Sequence, residues 1–296
     1  MTKKKEIDLS ELSDLISSSP AGIDKLKKQA EAIKVLQETL VMTFKRKRPY
    51  KIPTELDGDT LNLGVISDTH IGSGYQRLDA LNEFYNYCKK VGINTILHAG
   101  DVIDGWGVYK GQEFELHPYA RSWPEQKDMF VKEVPKIDGI TTIFITGNHD
   151  ASFKKLVGLI VGDEIQKARP DWKFVGADIA SVIFSTKFGD FTVKLIHPGG
   201  GSQQYAISYK PQKIVESLPG AKPDMVVVGH YHKAFIMPNY RGVMTVCPGC
   251  FQSQTPFMAT QSLQAHVGGW VFRIILGNRK NLTACFKSEF VSFYEG

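Results

Sequence analysis

The spacing of apolar positions predicts two helices at the start of the chain. Over residues 8–18 and again over 23–44, apolar side chains recur at three- and four-residue intervals, which places them on one face of a helix. A Ser-Ser-Ser-Pro sequence at 17–20 separates the two stretches. Such a pair is typical of a helix-turn-helix unit, a dimerisation arm or a strut packed on the main domain. We therefore expect residues 1–52 to form a helical arm that binds a second copy, a partner protein or the rest of the chain.

The pattern changes after a linker predicted over 49–59. Three apolar runs predict buried strands at 61–67, 95–99 and 141–146. Two stretches with helical spacing separate them, at 77–91 and 119–134. Alternation of strands and helices is typical of an α/β core.

The second half of the main domain, which is predicted to span 53–296, contains mostly strands. A hairpin is predicted around Lys187-Phe188-Gly189-Asp190, between apolar stretches at 181–184 and 191–196. Further strands are predicted at 225–228, 234–237, 243–246, 270–276 and 282–290. Many strands with few helices indicate a second sheet packed on the first.

The composition, 42% apolar and 23% charged, is that of an ordinary globular protein. No apolar run approaches the roughly 18 residues that a membrane span needs. The start Met1-Thr2-Lys3-Lys4-Lys5 is not followed by the apolar stretch of a secretory signal. Four cysteines are too few for a disulfide framework in a chain of 296 residues. We therefore expect a cytoplasmic protein that makes no contact with a membrane.

Two of the cysteines form a Cys247-Pro248-Gly249-Cys250 sequence. A zinc knuckle would need a second such pair, which the sequence lacks. A strand that runs into a Pro-Gly turn is the simpler interpretation.

The positive charge is concentrated at the start of the chain. Residues 1–51 hold 12 lysines and arginines against 7 acidic residues, and the overall net charge is +5. Its densest part is Lys45-Arg46-Lys47-Arg48. Arg46 and Arg48 are therefore candidates for contacts with the phosphates of a nucleic acid, and a solvated hinge is the alternative.

Five polar blocks each follow a predicted strand. They are Ser67-Asp68-Thr69-His70, Gly100-Asp101-Val102-Ile103-Asp104, Gly147-Asn148-His149-Asp150, Ile196-His197-Pro198-Gly199 and Gly229-His230-Tyr231-His232. Ligand sites of open α/β sheets lie at the carboxyl ends of strands, where the loops converge. Each block alone is weak evidence, but five in one chain indicate a shared site.

The residue types in these blocks suit two metal ions. In an extended backbone, Asp68 and His70 of the D-x-H pair point the same way, as do the two histidines of the H-x-H pair. Asp101 has two oxygens and can bridge two ions. Mixed imidazole and carboxylate ligands favour manganese, iron or zinc over calcium or magnesium alone. Two such ions would activate a water molecule and hold a phosphate for in-line attack.

The order D-x-H, G-D, G-N-H-D, H and G-H-x-H resembles that of the calcineurin-like metallophosphoesterases. The resemblance implies a four-layer α/β/β/α sandwich of two mixed sheets with a dinuclear site. It implies that one ion is held by Asp68, His70, Asp101 and His232, and the other by Asp101, Asn148, His197 and His230.

The same resemblance implies roles for three residues that are not metal ligands. His149 matches the catalytic histidine that contacts the phosphate or protonates the leaving oxygen. Asp104 matches an aspartate that orients this histidine in some branches, and a simple turn residue is the alternative. Asp150 completes the catalytic block.

Two departures separate this chain from the Ser/Thr protein phosphatases. Those enzymes have an arginine after the second aspartate of the G-D-x-x-D block and a glutamate after G-N-H. This chain has Gly105 and Asp150 at these positions. It therefore lacks the arginine expected to bind a phosphomonoester dianion.

Two further stretches resemble the small, exonuclease subunit of the archaeal family D DNA polymerase. One continues from the second block as Gly107-Val108-Tyr109 and Gly111-Gln112-Glu113, and the other runs over 248–257 as P-G-C-F-Q-S-Q-T-P-F. The likeness covers about residues 62–260 and implies manganese-dependent removal of nucleotides from a DNA 3′ end. Those subunits carry an oligonucleotide-binding barrel before this domain, for which the first 60 residues here are too few. A free-standing nuclease, as in a virus or mobile element, fits better, with the basic arm holding the DNA.

Aromatic residues in the motif loops are candidates for stacking on an unpaired base. Trp106 and Tyr109 are the foremost candidates, followed by Tyr231, and placement in the core is the alternative for each. A small-molecule phosphoesterase and a non-catalytic scaffold are the rival functions. The complete ligand set disfavours the scaffold, and the polymerase-like stretches with the basic arm disfavour the small substrate.

Overall fold

The computed structural model describes residues 49–201, 205–276 and 285–293. The predicted helical arm up to residue 48, with Arg46 and Arg48, lies outside the described residues. Twelve strands occur in the described part of the chain: β1 (Tyr50–Pro53), β2 (Thr60–Ile66), β3 (Thr95–Ala99), β4 (Thr141–Thr146), β5 (Trp172–Ala177), β6 (Ile179–Thr186), β7 (Gly189–Ile196), β8 (Met225–Val228), β9 (Ala234–Tyr240), β10 (Val243–Pro248), β11 (Gly268–Ile275) and β12 (Cys285–Ser292). Six α-helices accompany them: α1 (Leu78–Lys90), α2 (Trp123–Glu133), α3 (Ala151–Val157), α4 (Val161–Ala168), α5 (Tyr209–Ser217) and α6 (Pro256–Thr260).

The strands form two mixed sheets of six strands each. The first has the order β12-β11-β2-β3-β4-β5, in which β2 to β5 are parallel and β11 and β12 are antiparallel. The second has the order β1-β6-β7-β8-β10-β9. There, β7, β8 and β10 run parallel, and β6 and β7 form the predicted hairpin.

The two sheets pack face to face over the central core. Side chains alternate along β2, so that Leu61, Leu63 and Val65 enter this core. They meet Val193 of β7 and Val227 of β8 from the other sheet. Alternation of this kind is why one strand can contribute to two separate apolar layers.

Helices cover the outer faces of both sheets. Phe84 of α1, Phe130 of α2 and Ile165 of α4 pack on the first sheet in one apolar cluster. Val215 of α5 packs on Val226 of the second sheet. The predicted four-layer α/β/β/α sandwich of two mixed sheets is therefore confirmed. In the described part of the chain, no helix is long and apolar enough to cross a membrane.

The structure differs from the predicted linker over 49–59. Tyr50–Pro53 forms β1, which pairs in parallel with β6 at the edge of the second sheet. From the sequence alone, the proline at the end of Tyr-Lys-Ile-Pro predicts a loop. An edge strand tolerates proline, however, because one of its sides makes no hydrogen bonds to another strand. The predicted helix at 119–134 begins only at Trp123.

Candidate metal centre

The five polar blocks all lie at the carboxyl ends of strands, as predicted. Asp68 and His70 follow β2, Asp101 follows β3, and Asn148 follows β4 in the first sheet. The other histidines follow β7 and β8 of the second sheet, at positions 197, 230 and 232. The site therefore forms where the carboxyl edges of the two packed sheets meet.

The convergence of the D-x-H and H-x-H pairs has a different cause from the one predicted. Alternation along an extended backbone was expected to align their side chains. Instead, Asp68, His70, His230 and His232 have φ values of 54°, 45°, 79° and 53°. These are left-handed backbone conformations. Residues other than glycine seldom adopt them, and they cluster at functional sites.

One group of candidate ligands consists of Asp68, His70 and His232. Nε2 of His70 lies 3.1 Å from Nε2 of His232. The Asp68 carboxylate lies 3.9 Å from the His70 nitrogen and 3.5 Å from the His232 nitrogen. Two imidazole nitrogens at such a short distance need a proton or a cation between them, which fits a metal site.

The second group consists of Asp101, His197 and His230, joined by Asn148. Nε2 of His197 lies 3.0 Å from Oδ2 of Asp101 and 3.1 Å from Oδ1 of Asn148. The same Oδ2 of Asp101 lies 4.0 Å from Nε2 of His70 in the first group. Asp101 thus stands between the two groups, as a bridging ligand must.

Hydrogen bonds behind the ligands orient the histidine rings. Nδ1 of His197 donates to the main-chain oxygen of Ala99 at 2.8 Å, and Nδ1 of His70 pairs with the Asp104 carboxylate at 3.0 Å. Both rings therefore present Nε2 to the centre, in the arrangement usual for metal-binding histidines. This donor set of imidazole, carboxylate and amide oxygen fits divalent ions such as manganese, iron or zinc.

Burial and charge shift the pKa values of these groups. Burial alone would lower the pKa of His197, but the Asp101 carboxylate raises it to about 9. Burial would raise the pKa of Asp101, but His197 and His149 hold it well below its usual range. Burial and the charge of His197 lower the pKa of His230 to about 4. The Asp101–His197 pair is therefore charged before any metal binds.

His149 lies beside the two groups and lines the cleft in front of them. Its Nδ1 donates to the main-chain oxygen of Asp104 at 2.6 Å, and its main-chain N–H donates to Asp101 at 2.8 Å. The Asp104 carboxylate is 3.7 Å from this ring and instead hydrogen-bonds His70. The hydrogen bond between Asp104 and His149 is therefore made by the carbonyl oxygen of Asp104 and not by its carboxylate.

Asp150 does not face the cleft. Its carboxylate is buried and accepts hydrogen bonds from the main-chain N–H groups of Val102, Ile103 and Gly147. Burial and the nearby Asp101 raise its pKa to about 7. These contacts join the loops after β3 and β4, so the structure gives Asp150 a positioning role where the sequence indicated a catalytic one.

The three predicted stacking residues have different surroundings. Tyr109 and the mostly buried Tyr231 line a cleft of about 340 Å³ in front of the ligands. Trp106 packs against the apolar cluster around α1 and is absent from the described residues that line the cleft. Its side chain is half-buried against that cluster, so the structure gives no support to its role as a substrate contact, which stays a prediction.

Sequence reasoning missed one wall of the cleft and a buried histidine. Thr255, Phe257 and Met258, at the start of α6, line the same cleft as the ligands. Their stretch resembles the polymerase subunits, but it carries no metal-binding or catalytic motif that would place it at the site. His98 hydrogen-bonds Thr69 at 3.0 Å, and burial lowers its pKa to about 3. His98 lies two residues before the Gly100–Asp104 block, and this position was the available signal that it lies close to the site.

Residues 61–264 match the model of the calcineurin-like phosphoesterase superfamily domain. Two curated relatives are called DNA polymerase II small subunit. The one from Halobacterium salinarum is 24% identical over 245 residues, which is 70% of this chain and 47% of the relative. The one from Pyrococcus furiosus is 28% identical over 237 residues, which is 65% of this chain and 38% of the relative.

This chain therefore spans less than half the length of the relatives it matches. Among solved structures, a Plasmodium protein described as GAP50, the anchor in the inner membrane complex, has a TM-score of 0.44 at 11% identity. That match covers 79% of this chain and 84% of the Plasmodium protein.

Proposed function

The chain belongs to the calcineurin-like phosphoesterase superfamily, and from its site we propose that it is a nuclease that removes nucleotides from the 3′ end of DNA with two divalent ions, manganese foremost. The observation that carries this proposal is the complete ligand set. Asp101 stands between two groups of donors, and His149 stands beside both. A chain that had lost phosphoester chemistry would have no need of such a set.

The residues divide into those that hold ions and those that act on the substrate. Asp68, His70 and His232 hold one ion together with Asp101, and Asn148, His197 and His230 hold the other with it. When bound, two ions supply an activated water molecule and a clamp on the phosphate. Nδ1 of His149 is engaged by the Asp104 carbonyl, so Nε2 is the atom that can hold a proton for the leaving oxygen.

A phosphodiester fits the site better than a phosphomonoester. The Ser/Thr protein phosphatases, from which this chain departs, have an arginine where this chain has Gly105. Here φ is +73°, and a Cβ at this position would collide with the His149 carbonyl and the Ser152 hydroxyl. No side chain fits there, so the cleft offers no arginine from this position to a dianionic phosphate.

Two observations support DNA as the substrate. The matched relatives are called DNA polymerase II small subunits, and the positive charge of the chain lies in its first 51 residues. A basic segment attracts the phosphate backbone independently of sequence. We propose that this segment, including Arg46 and Arg48, holds the DNA while its 3′ end enters the cleft.

The test is digestion of a single-stranded DNA labelled at its 5′ end, with manganese present. We expect a ladder of products that shortens from the 3′ end. Asp101→Asn should abolish it, and His149→Ala should slow it about 100- to 10,000-fold. His117→Ala is the matched control, since this histidine lies outside the residues that line the cleft.

Cleavage of bis(nitrophenyl) phosphate with the DNA left intact would contradict the nuclease proposal. It would assign the protein to the small-molecule phosphoesterases. If the unchanged protein cleaves neither substrate, the interpretation that remains is a binding scaffold without catalytic activity.

A further inference from the structure

One part of the cleft wall is apolar, and the candidate metal ligands line another part. Val108 and Tyr109, from the loop after β3, form one part of this apolar wall, and Phe257, Met258 and Leu263 form the rest. At about 340 Å³, the cleft is at the small end of the range for ligand sites, which suits a group of about the size of one nucleotide. A phosphate on the ligand side would thus place the attached nucleoside near this wall.

Aromatic rings form a row that leads from the site to this wall. His149 meets Tyr109 edge to face, with ring centroids 6.1 Å apart at 61°. Tyr109 in turn stacks on Phe257, with centroids 4.4 Å apart at 25°. Tyr109 is therefore occupied by two ring contacts, whereas Phe257 ends the row and remains 38% exposed.

The buried Glu115 holds the two aromatic residues together. Its carboxylate accepts a hydrogen bond from the Tyr109 hydroxyl at 2.7 Å and one from the main-chain N–H of Phe257 at 2.6 Å. Burial and this carboxylate raise the pKa of Tyr109, so the hydroxyl remains a donor. Thr255 caps α6 by accepting from the Met258 N–H at 3.2 Å. These hydrogen bonds hold the backbone of Phe257 in place, and the stack on Tyr109 supports its ring before a substrate arrives.

We propose that Phe257 is the platform on which the unpaired terminal base of a single-stranded nucleic acid stacks while the adjacent phosphate lies at the ligands. This inference rests on the proposed nuclease function and names its specificity-determining residue. Stacking on an aromatic ring accepts every base, because each base has a π face. The platform therefore selects an unpaired end and not a sequence, and a base-paired end must fray before it enters.

The experiment compares two DNA strands that differ only at the 3′ terminus. One ends in an ordinary nucleotide and the other in an abasic analogue, and the rate of the first cleavage is measured with manganese. We expect the unchanged protein to prefer the ordinary end by roughly 5- to 150-fold, which is the range of stacking on one aromatic ring. Phe257→Ala and Phe257→Leu should lose this preference, and Phe257→Trp should keep it.

Phe188→Ala is the matched control. Phe188 is 39% exposed, nearly the same as Phe257, but lies in the hairpin turn between β6 and β7. It should retain the preference. Equal slowing of both strands in Phe257→Leu would overturn the inference, because it would indicate a structural role. An unchanged preference in Phe257→Ala would overturn it as well.

Failure of the proposed function has a different signature. If the unchanged protein cleaves neither strand, the nuclease proposal falls, and the inference falls with it. If it cleaves both at the same rate, the nuclease proposal stands and only the platform is refuted.

Discussion

The main-chain carbonyl of Asp104 accepts the hydrogen bond from Nδ1 of His149, at 2.6 Å. The carboxylate of the same residue pairs with His70, at 3.0 Å. Asp104 thus contacts the proposed catalytic histidine and a proposed metal ligand with two different atoms. Only one of these atoms can be removed by substitution.

This division predicts the effect of Asp104→Ala. The substitution removes the partner of His70 but keeps the carbonyl that orients His149, so manganese affinity should fall roughly 10- to 100-fold. The turnover rate at saturating manganese should stay within a few-fold of the unchanged protein. Asp104→Asn keeps an oxygen acceptor for His70 and is the control. An Asp104→Ala protein as slow as His149→Ala at saturating manganese would contradict the assignment.

Metal binding should release protons. Because Asp101 raises the pKa of His197 to about 9, this imidazole is protonated near pH 7 in the metal-free protein. Coordination through Nε2 requires its neutral form, so a metal competes with the proton. Manganese affinity should therefore rise by at least about tenfold per pH unit between pH 7 and pH 9. Calorimetry in two buffers of different ionisation enthalpy measures the release.

The variant His197→Asn is the matched control for the pH dependence of manganese binding. His197→Asn removes the titrating group but offers an oxygen ligand, and its manganese affinity should vary less between pH 7 and 9. An equally steep pH dependence in this variant would show that another group is the source.

Two glycines that lie two residues apart in the same loop give a paired test. Gly105 and Gly107 both have positive φ, 73° and 65°. A Cβ at Gly105 collides with the His149 carbonyl, whereas a Cβ at Gly107 meets nothing within 4 Å. Gly107→Ala should cost only the roughly 1–2 kcal/mol of the left-handed backbone. Gly105→Ala should cost more and also displace His149, so its activity should fall further than its thermal stability explains.

The measurement is thermal unfolding of both variants beside their activity. Equal losses in the two would mean that backbone conformation, and not the contact with His149, decides the effect.

The basic segment should govern the salt dependence of DNA binding. Replacing Arg46 and Arg48 by glutamine in the full chain should weaken binding and reduce the slope of log affinity against log salt by roughly one to two. Lys132 and Lys136, replaced in the same way, remove the same charge from exposed positions elsewhere. If both pairs change the slope equally, net charge and not the segment is responsible.

The sequence specified the parts of the fold that are locally encoded. β3 and β4 have the predicted bounds, because buried strands appear as continuous apolar runs between turn residues. The helices α3 and α5 were not predicted, since only a few of their residues are buried and their stability comes from the sheets they cover. The seven predicted ligands lie together because each follows a strand.

The parts of the site without such local signals could not be predicted. Left-handed backbone at Asp68 and His230 is imposed by the surrounding loops. The place of Phe257 depends on Glu115, which is far away in the chain. Trp106 illustrates a further difficulty, because a motif loop can pack an aromatic side chain against the apolar cluster as easily as place it in the cleft.

The origin of the ligands from both sheets has a mechanical consequence. Asp68 and Asp101 extend from the first sheet, and His197, His230 and His232 extend from the second. An ion held by both sets is a non-covalent cross-link between the two halves of the sandwich. It closes a long loop of chain as a disulfide would, in a protein whose described cysteines are all free. Removing the metal would then weaken the contact between the two sheets as well as abolish catalysis. The free energy of unfolding would therefore increase with metal occupancy.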